Sequence, residues 1–266
     1  MAAVARQTRR PVQLVCLAHA GGTSVLYRDW QRALGDATQI LALELPGHGA
    51  RRAQPVCTNW PELIDALCSD LLGRLDPARP FALFGHSMGA LVAFRLIHAL
   101  RARGAEEPVW FGASGSVAPQ CRVRETHWLH CSHSGMVDKL RLLGGTPEAL
   151  LADHGLIDYL LPVLRADFHL CGTYPDHGGD DEAPLNCPVT VFTGRDDPAT
   201  ARESDVIRWR DVTRGACDFR RFEGGHFYLS AAPAALLAQV AVALERGRVS
   251  CGRAGAPDSG GTAWVG

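Results

Sequence analysis

Short apolar runs alternate with segments of helical periodicity along the first half of the chain. Each apolar run predicts a strand, and the apolar positions at helical spacing between the runs predict helices. Runs this uniformly apolar are typical of parallel strands covered on both faces. The predicted strands lie at residues 12–18, 40–45, 81–84 and 109–114, with helices at 27–34, 60–75 and 88–103. This alternation predicts a mostly parallel sheet flanked by helices and joined by right-handed crossovers.

The alternation stops between about residues 119 and 184, where no apolar run has strand character. Helical periodicity predicts a helical insertion there, which we interpret as a lid over a substrate chamber. A helical cap without any gating role is the alternative. Its helices are predicted at 135–143, 147–153 and 156–174, and the chain resumes with strands at 188–193 and 218–222 and helices at 201–212 and 233–245. One α/β domain is therefore predicted for residues 12–247, between disordered segments at 1–11 and 248–266.

Size and charge narrow the class of protein. The chain has 266 residues, 47% of them hydrophobic, which suffices for one α/β domain with an insertion. A net charge of −1 argues against nucleic acid as a partner. No apolar run reaches the roughly 18 residues that span a bilayer, so no membrane partner is expected. The N-terminal arginines and Ala18-His19-Ala20 resemble a signal peptide, but the apolar run is short, contains Gln13, and forms the first predicted strand.

Nine cysteines are scattered from Cys16 to Cys251, and no Cys-x-x-Cys pair occurs among them. This odd number without paired spacing fits neither a zinc ribbon nor a thioredoxin-type motif. We therefore expect free thiols and a reducing, cytoplasmic location.

The sequence Gly85-His86-Ser87-Met88-Gly89 stands between the third predicted strand and the helix that follows it. It matches the nucleophile elbow Gly-x-Ser-x-Gly, a sharp turn that exposes the serine at the carboxyl edge of a sheet. Glycines are needed because side chains would collide with the neighbouring strand and helix. A chance glycine-rich turn is the alternative, since so short a pattern recurs by accident. The strand before it and the helix after it favour a nucleophile at Ser87.

Two later groups can complete a catalytic triad with Ser87. The strand ending near Gly194 leads to Asp196 and Asp197, and the last strand leads to His226. This order of nucleophile, acid and histidine is that of α/β-hydrolases. Each group follows a strand at the same edge of the sheet, so the three can converge. We choose Asp197 over Asp196 because a two-residue turn after Gly194 carries its side chain back toward the histidine.

The expected chemistry is acyl transfer. A serine hydroxyl is a weak nucleophile, so His226 takes the proton from Ser87 and later returns it to the leaving group. Asp197 fixes the imidazole tautomer and stabilises its positive charge. The backbone N–H of Met88, the residue after the nucleophile, is the predicted first donor of the oxyanion hole.

A glycine-rich loop, His19-Ala20-Gly21-Gly22, directly follows the first predicted strand. Its functional interpretation is the second donor of the oxyanion hole. We choose the N–H of Ala20, with Gly21 in reserve, because a backbone donor needs no particular side chain and the register stays open. By itself such a loop equally fits phosphate binding or a plain strand–helix connection.

Other histidines carry weaker signals. His48, in the turn after the second strand, is expected to bond to backbone rather than to act as an acid or base. His127, His130 and His133 flank Cys131, and both residue types bind zinc, but on a helix the first and third point to different sides. We therefore expect solvated side chains and no metal site.

Six motifs occur together and in a fixed order. They are His19-Ala20-Gly21-Gly22, Leu45-Pro46-Gly47-His48-Gly49, Gly85-His86-Ser87-Met88-Gly89, Leu164-Arg165-Ala166-Asp167-Phe168, Gly194-x-Asp196-Asp197-Pro198 and Gly224-Gly225-His226-Phe227. This set resembles the type II thioesterases, the free-standing editing enzymes of polyketide and nonribosomal peptide pathways. The resemblance covers about residues 12–245 and implies an α/β-hydrolase fold with its triad at Ser87, Asp197 and His226.

The resemblance also implies a substrate. It is an acyl chain on the phosphopantetheine arm of an acyl or peptidyl carrier protein, removed to clear stalled or misprimed units. No cofactor is implied beyond the phosphopantetheine that the substrate carries, and a monomer is expected. The helical insertion would enclose an acyl chamber and leave a tunnel for the arm. Carrier proteins are usually acidic, so Arg122, Arg124, Lys139, Arg141 and Arg165 offer a docking surface, unless they are only scattered solvated charges.

Two other functions stay open. A small-molecule carboxylesterase or lipase uses the same triad on oxygen esters, so the chemistry alone does not separate it from a thioesterase. A non-catalytic binding protein on a hydrolase fold would need a broken triad, whereas all three side chains are present here.

Overall fold

A parallel sheet organises the chain in the computed structural model, which describes residues 10–175 and 183–254. Within these residues the sheet has six strands in the order β2-β1-β3-β4-β5-β6, and every neighbouring pair is parallel. The predicted parallel sheet is thus confirmed. The strands are β1 (Val12–Leu17), β2 (Thr38–Leu43), β3 (Phe81–His86), β4 (Phe111–Ser114), β5 (Val189–Gly194) and β6 (Cys217–Phe222).

The helices in the described residues are α1 (Trp30–Leu34), α2 (Trp60–Arg74), α3 (Met88–Ala102), α4 (His133–Leu143), α5 (Glu148–Leu151), α6 (His154–Gly172), α7 (Glu203–Ile207), α8 (Tyr228–Ala231) and α9 (Pro233–Ala254). They cover both faces of the sheet. Successive strand residues face opposite sides, so Val15 and Leu83 pack with α2 and α3, whereas Leu14 and Phe84 pack with α1 and α9. This two-sided burial explains why the strands are apolar at nearly every position.

Helix α2 shows how the local sequence sets an element. The side chain of Asn59 accepts a hydrogen bond from the N–H of Glu62 at 3.0 Å, and a proline occupies the first turn. Both features start a helix where the periodicity predicts one. Its apolar stripe, which includes Leu63, Leu67 and Leu71, is buried against the sheet and α3.

Residues 201–212 do not form the single helix that their sequence predicts. Helix α7 is short, and the 3₁₀ helix Arg208–Val212 follows it. The buried side chains of Val206, Trp209 and Val212 recur every third residue, which matches the repeat of a 3₁₀ helix better than that of an α-helix. The indole N–H of Trp209 donates to the carbonyl of Ser116 at 2.9 Å and anchors this segment.

Helix α9 is longer than predicted. It continues to Ala254, so the expected disorder from residue 248 is wrong as far as residue 254. Gly247 is part of the packing, because a Cβ there would lie 2.5 Å from the carbonyl oxygen of Val109. The close approach of this helix to the start of β4 therefore needs glycine. Of the other residues predicted to be disordered, 1–9 and 255–266 lie outside the described residues, whereas Arg10 and Pro11 lie within them, just before β1.

The insertion between β4 and β5 is helical, as predicted, and consists of α4, α5 and α6 with short 3₁₀ turns. It has a small apolar cluster of its own, which includes Trp128, Leu164 and Phe168. This cluster packs on Ala20, in the loop that follows β1. The insertion therefore covers the carboxyl edge of the sheet. In the part of the chain that the structure describes, no helix is long and apolar enough to span a bilayer.

Candidate active site

The turn at Ser87 has the geometry of a nucleophile elbow. Ser87 has a φ of 56°, and it is the only non-glycine residue with positive φ among the described residues. Its N–H donates to the carbonyl of Ser114 on β4 at 2.6 Å, which holds the turn in place. A Cβ on Gly85 would lie 2.0 Å from the carbonyl oxygen of Gly89, and one on Gly89 would lie 2.1 Å from that of Leu17. Both glycines are therefore required by the close contact of strand and helix.

The sheet topology places this elbow beside the glycine-rich loop. Strand β1 lies between β2 and β3, so the connections after β1 and β3 leave the sheet in opposite directions. A crevice forms at such a switch point, at the carboxyl ends of the strands. A cavity of about 210 Å³ occupies this place, and Ala20, Ser87, Met88 and His226 all line it. The structure thus brings the predicted nucleophile, base and oxyanion donors to one cavity.

Asp197 and His226 form a buried pair at the same edge. The Nδ1 atom of His226 lies 3.0 Å from each carboxylate oxygen of Asp197, and both residues are 1% exposed. The carboxylate also accepts the N–H of Ala199 at 2.8 Å and the hydroxyl of Thr200 at 3.1 Å. Asp196, the alternative acid, is exposed. The burial and bonding of the two aspartates therefore favour Asp197 as the partner of the histidine.

This pairing also fixes the tautomer of His226. Because the carboxylate of Asp197 only accepts hydrogen bonds, Nδ1 of His226 carries the proton. Nε2 of the same ring is left as the basic nitrogen. The ring of His86 lies 5.1 Å from that of His226, centre to centre. Burial, together with the neighbouring imidazoles, lowers the pKa of His86 well below its usual value, so this ring stays neutral. A neutral neighbour does not oppose the positive charge that His226 gains when it takes a proton.

A hydrogen-bonded chain holds His86 below the site. Its Nδ1 atom lies 2.9 Å from the hydroxyl of Ser114, and that hydroxyl lies 2.5 Å from the hydroxyl of Tyr228. All three side chains are fully buried, and the Nδ1 atom of His86 and the two hydroxyls pair with one another, whereas Nε2 of His86 has no hydrogen-bond partner among the described residues. The chain links the end of β4 to the segment after His226 and thereby stiffens the loop that carries the proposed base.

The hydrogen bonds of the loop after β1 bear on the choice of the second oxyanion donor. The N–H of Gly21 donates to a carboxylate oxygen of Asp167 at 2.7 Å, and the N–H of Gly22 donates to the carbonyl of His19 at 2.8 Å. Neither N–H is available for an oxyanion while these bonds persist. Of the two donors considered, the N–H of Ala20 therefore fits better than the reserve choice, Gly21.

His48 has the predicted backbone bond and a partner that the sequence did not indicate. Its Nδ1 atom lies 3.0 Å from the carbonyl oxygen of Pro46, and Nε2 lies 2.8 Å from the carboxylate of Asp167. Both neighbours are acceptors, an arrangement that favours a proton on each ring nitrogen and hence the imidazolium form of His48. Burial alone would lower the pKa of His48, but the bond to Asp167 and its charge outweigh burial and raise it. This buried ion pair joins the core of the protein to helix α6 of the insertion.

We expect Asp167→Ala to destabilise the fold by about 3–5 kcal/mol, because it leaves the charge of His48 buried without a counter-ion. The pH dependence should change as well. Since the pKa of His48 is raised from 6.5 in the fold, the pair stabilises fully below pH 6.5 and loses this effect as pH rises through the raised value. Urea unfolding across this range should show that decline in the wild type and a flatter profile in the variant.

Asp158→Ala is a matched control, since Asp158 pairs with His133 at the same distance, 2.8 Å, but is 66% exposed. An exposed pair contributes little, so the loss should stay below about 1 kcal/mol. Equal losses for the two variants would contradict the assignment of a buried ion pair to His48 and Asp167.

The five cations proposed as a docking surface differ in their surroundings. Arg141 is neutralised by two carboxylates at 3.0 and 2.8 Å, and Arg165 donates to a backbone carbonyl at 2.8 Å. Arg122 and Lys139 are half-buried and line the cavity with Ser87, and Arg124 is exposed. The five cations therefore lie in different surroundings, and two of them line the cavity.

The histidines of the insertion engage separate partners. His133 pairs with Asp158 and stacks on His154 with 4.7 Å between ring centres, whereas His127 packs against Trp128 at 4.4 Å. In residues 10–175 and 183–254, no group of three or more His, Cys, Asp or Glu side chains is arranged to hold a metal.

The parallel sheet, the elbow at Ser87 and the buried Asp197–His226 pair beneath a helical insertion define the class of the protein, an α/β-hydrolase. Comparison with family models then specifies the family. The model of the thioesterase domain matches residues 12–244. The chain therefore belongs to the thioesterase family, and the predicted class of enzyme, a thioester hydrolase, is confirmed.

Known relatives agree with this assignment. The gramicidin S biosynthesis protein GrsT of Aneurinibacillus migulanus is 33% identical over 82% of this chain and 83% of its own length. The structure of RedJ, a thioesterase from the prodiginine pathway of Streptomyces coelicolor, matches with a TM-score of 0.80 at 35% identity, over 88% of this chain and 85% of RedJ. The type II thioesterase BorB from the borrelidin biosynthetic cluster matches with a TM-score of 0.77 at 33% identity, over 89% of this chain and 96% of BorB. These findings confirm the resemblance to type II thioesterases.

Proposed function

We propose that this protein hydrolyses acyl thioesters on the phosphopantetheine arm of acyl or peptidyl carrier proteins. Its role would be to release stalled or misprimed units during polyketide or nonribosomal peptide synthesis. The observation that carries the proposal is the buried Asp197–His226 pair, whose histidine lines one cavity with an elbow serine in a chain of the thioesterase family.

The mechanism follows from the positions of these groups. The Nε2 atom of His226 accepts the proton of Ser87 as its oxygen attacks the thioester carbonyl. The backbone N–H groups of Met88 and Ala20 stabilise the oxyanion, and the C–S bond then breaks as His226 returns the proton to the sulfur. Water, activated by the same nitrogen, hydrolyses the acyl-serine. Asp197 stabilises the imidazolium in both steps.

The walls of the cavity suit an acyl chain. Most of them come from the insertion and are apolar, and each methylene buried there contributes about 0.8 kcal/mol. Chain length can therefore be selected by the depth of the cavity. The apolar side chains of its wall include Leu91, Leu140, Leu143, Leu150, Leu156, Ile157, Leu160, Leu164 and Phe168.

The proposed reaction requires no cofactor other than the phosphopantetheine of the substrate. We infer a cytoplasmic location, where carrier proteins act and where free thiols stay reduced. The eight cysteines whose side chains the structure describes are all free, in agreement with this inference. We also infer that a monomer is active, since one chain contributes every residue of the proposed triad.

A panel of substrates tests the function. The same short and medium acyl groups would be presented as carrier-bound thioesters, free thioesters and p-nitrophenyl esters. Mass spectrometry would measure the carboxylic acid that is released from each. We expect the highest kcat/KM with carrier-bound thioesters. Faster turnover of oxygen esters would indicate a carboxylesterase or lipase instead, and the absence of turnover on every substrate would refute the enzymatic proposal.

A further inference from the structure

A groove adjoins the catalytic cavity next to the loop that follows β5. The groove and the cavity share four lining residues, namely Arg122, Glu125, Lys139 and Ala199. The two spaces therefore meet along a common wall. The cavity is mostly apolar and contains Ser87, whereas both cations stand on the wall that it shares with the groove.

Lys139 is the only lysine of the chain, and its ammonium is held in an unusual place. Its Nζ atom lies 5.2 Å from the ring centre of Trp128 and 5.8 Å from that of Phe168. Aromatic faces attract a cation and restrict its position. No carboxylate in the described residues forms an ion pair with Lys139, whereas Arg141 on the same helix has two such partners. The ammonium is thus positioned yet still able to bind an anion.

Arg122 is the second cation of the shared wall. One terminal nitrogen of its guanidinium donates to the carbonyl of Cys171 at 3.2 Å. Its Nε atom is buried and has no hydrogen-bond partner among the described residues. A buried donor without an acceptor is unfavourable, so an incoming oxygen would satisfy it. Glu125, the nearby acid, accepts the indole N–H of Trp128 at 3.0 Å.

We propose that Lys139 and Arg122 bind the phosphate of the phosphopantetheine arm where the groove meets the catalytic cavity, with the arm reaching from there to its thioester beside Ser87. Two cations and the carboxylate of Glu125 leave one net positive charge on the shared wall. A carrier-bound arm carries a phosphodiester with a single negative charge. This charge is equal and opposite to the net charge of the shared wall. This assignment rests on the proposed function, and it adds a phosphate subsite that selects carrier-bound over simple thioesters.

The first test compares the same acyl group on pantetheine and on 4′-phosphopantetheine. We expect Lys139→Met to lower the ratio of kcat/KM for the phosphorylated over the unphosphorylated substrate by about tenfold, since a charged hydrogen bond is lost. Methionine keeps an unbranched side chain on the two rings, so packing is largely preserved. Lys139→Arg, which keeps the charge, should retain most of the ratio.

Arg141→Met is the matched control, because it removes a cation from the same helix that is exposed and paired. It should leave the ratio unchanged. An unchanged ratio in Lys139→Met, or an equal fall in both variants, would overturn the phosphate assignment. If the wild type cleaves neither thioester, the proposed function fails instead, and a binding measurement then decides the phosphate site by itself.

That measurement uses the single lysine as a probe. Reductive methylation with ¹³C labels Lys139 and the terminal amine only, and the dimethylated ammonium keeps its charge. In the Ser87→Ala protein, 4′-phosphopantetheine should shift the NMR signal of Lys139, whereas pantetheine at the same concentration should not. Equal shifts with both compounds, or no shift with either, would contradict the proposal. Inorganic phosphate, added alone, shows whether the anion by itself suffices.

Discussion

Replacing the elbow serine should nearly abolish the reaction: we expect Ser87→Ala to lower kcat by about 10⁶ when the triad works as a unit. Ser87 supplies the attacking oxygen, and no acyl-enzyme forms without it. The residual rate would come from the oxyanion donors, which still polarise the carbonyl toward water. Single-turnover hydrolysis of an acyl-carrier protein, followed by mass spectrometry, measures the effect. Alanine has much the same backbone preferences as serine at a φ of 56°, so the thermal unfolding midpoint should change little.

Ser116 provides the control, because it lines the same cavity and its hydroxyl donates to the carbonyl of Val117 at 3.0 Å. Ser116→Ala should keep kcat within a few-fold of the wild type. A fluorophosphonate probe should label the wild type and Ser116→Ala but not Ser87→Ala. A loss below tenfold in Ser87→Ala would remove Ser87 from the role of nucleophile.

The sequence predicts most of what positions the site, because local rules decide those parts. Parallel strands buried on both faces must be apolar, so the apolar runs of the sequence predict how many strands there are and where each lies in the chain. The elbow at Ser87 needs glycine on both sides for steric reasons, which makes its motif visible. The choice of Asp197 over Asp196 is likewise local, since the turn after β5 turns one side chain inward and the other outward.

Contacts between distant segments are harder to predict. Asp167 stands in an apolar stretch of α6 and is buried, and its partners are His48 and the N–H of Gly21, over a hundred residues earlier in the chain. A charged residue on an apolar helical face is the only local signal of this pair. The place of Lys139 on the wall of the cavity is not evident from the sequence for the same reason, because it depends on how α4 lies over the cavity.

Helix boundaries differ from prediction where packing overrides composition. The sequence after residue 245 is rich in glycine, which favours the end of a helix, yet α9 continues because Gly247 fits against Val109. In the segment around Trp209, buried side chains recur at every third residue, and the backbone forms a 3₁₀ helix. Apolar periodicity over so few turns does not distinguish a 3₁₀ helix from an α-helix. Neither error changes the lining of the cavity, since none of the residues concerned lines it.

The paired aspartates give the most discriminating test of the proposed triad. We expect Asp197→Asn to lower kcat by about 10⁴, because the amide favours the wrong tautomer of His226 and does not stabilise its positive charge. The asparagine side chain is nearly isosteric and keeps an oxygen for the N–H of Ala199, which lies 2.8 Å from the carboxylate in the wild type. The fold should therefore persist, and the loss should appear in kcat rather than in the unfolding midpoint.

Asp196→Asn is the natural comparison, since the two residues are adjacent and only one is buried. Its side chain is exposed and its N–H bonds to the carbonyl of Gly224 at 3.0 Å, a contact that the substitution leaves intact. We expect less than about a twofold change in kcat, as for most surface substitutions. A larger loss in Asp196→Asn than in Asp197→Asn would identify Asp196 as the acid. Equal losses would show that the loop, rather than either carboxylate, limits catalysis. We expect unequal losses because the buried carboxylate of Asp197, 3.0 Å from Nδ1, holds the imidazole of His226 in its reactive tautomer, whereas Asp196 is exposed.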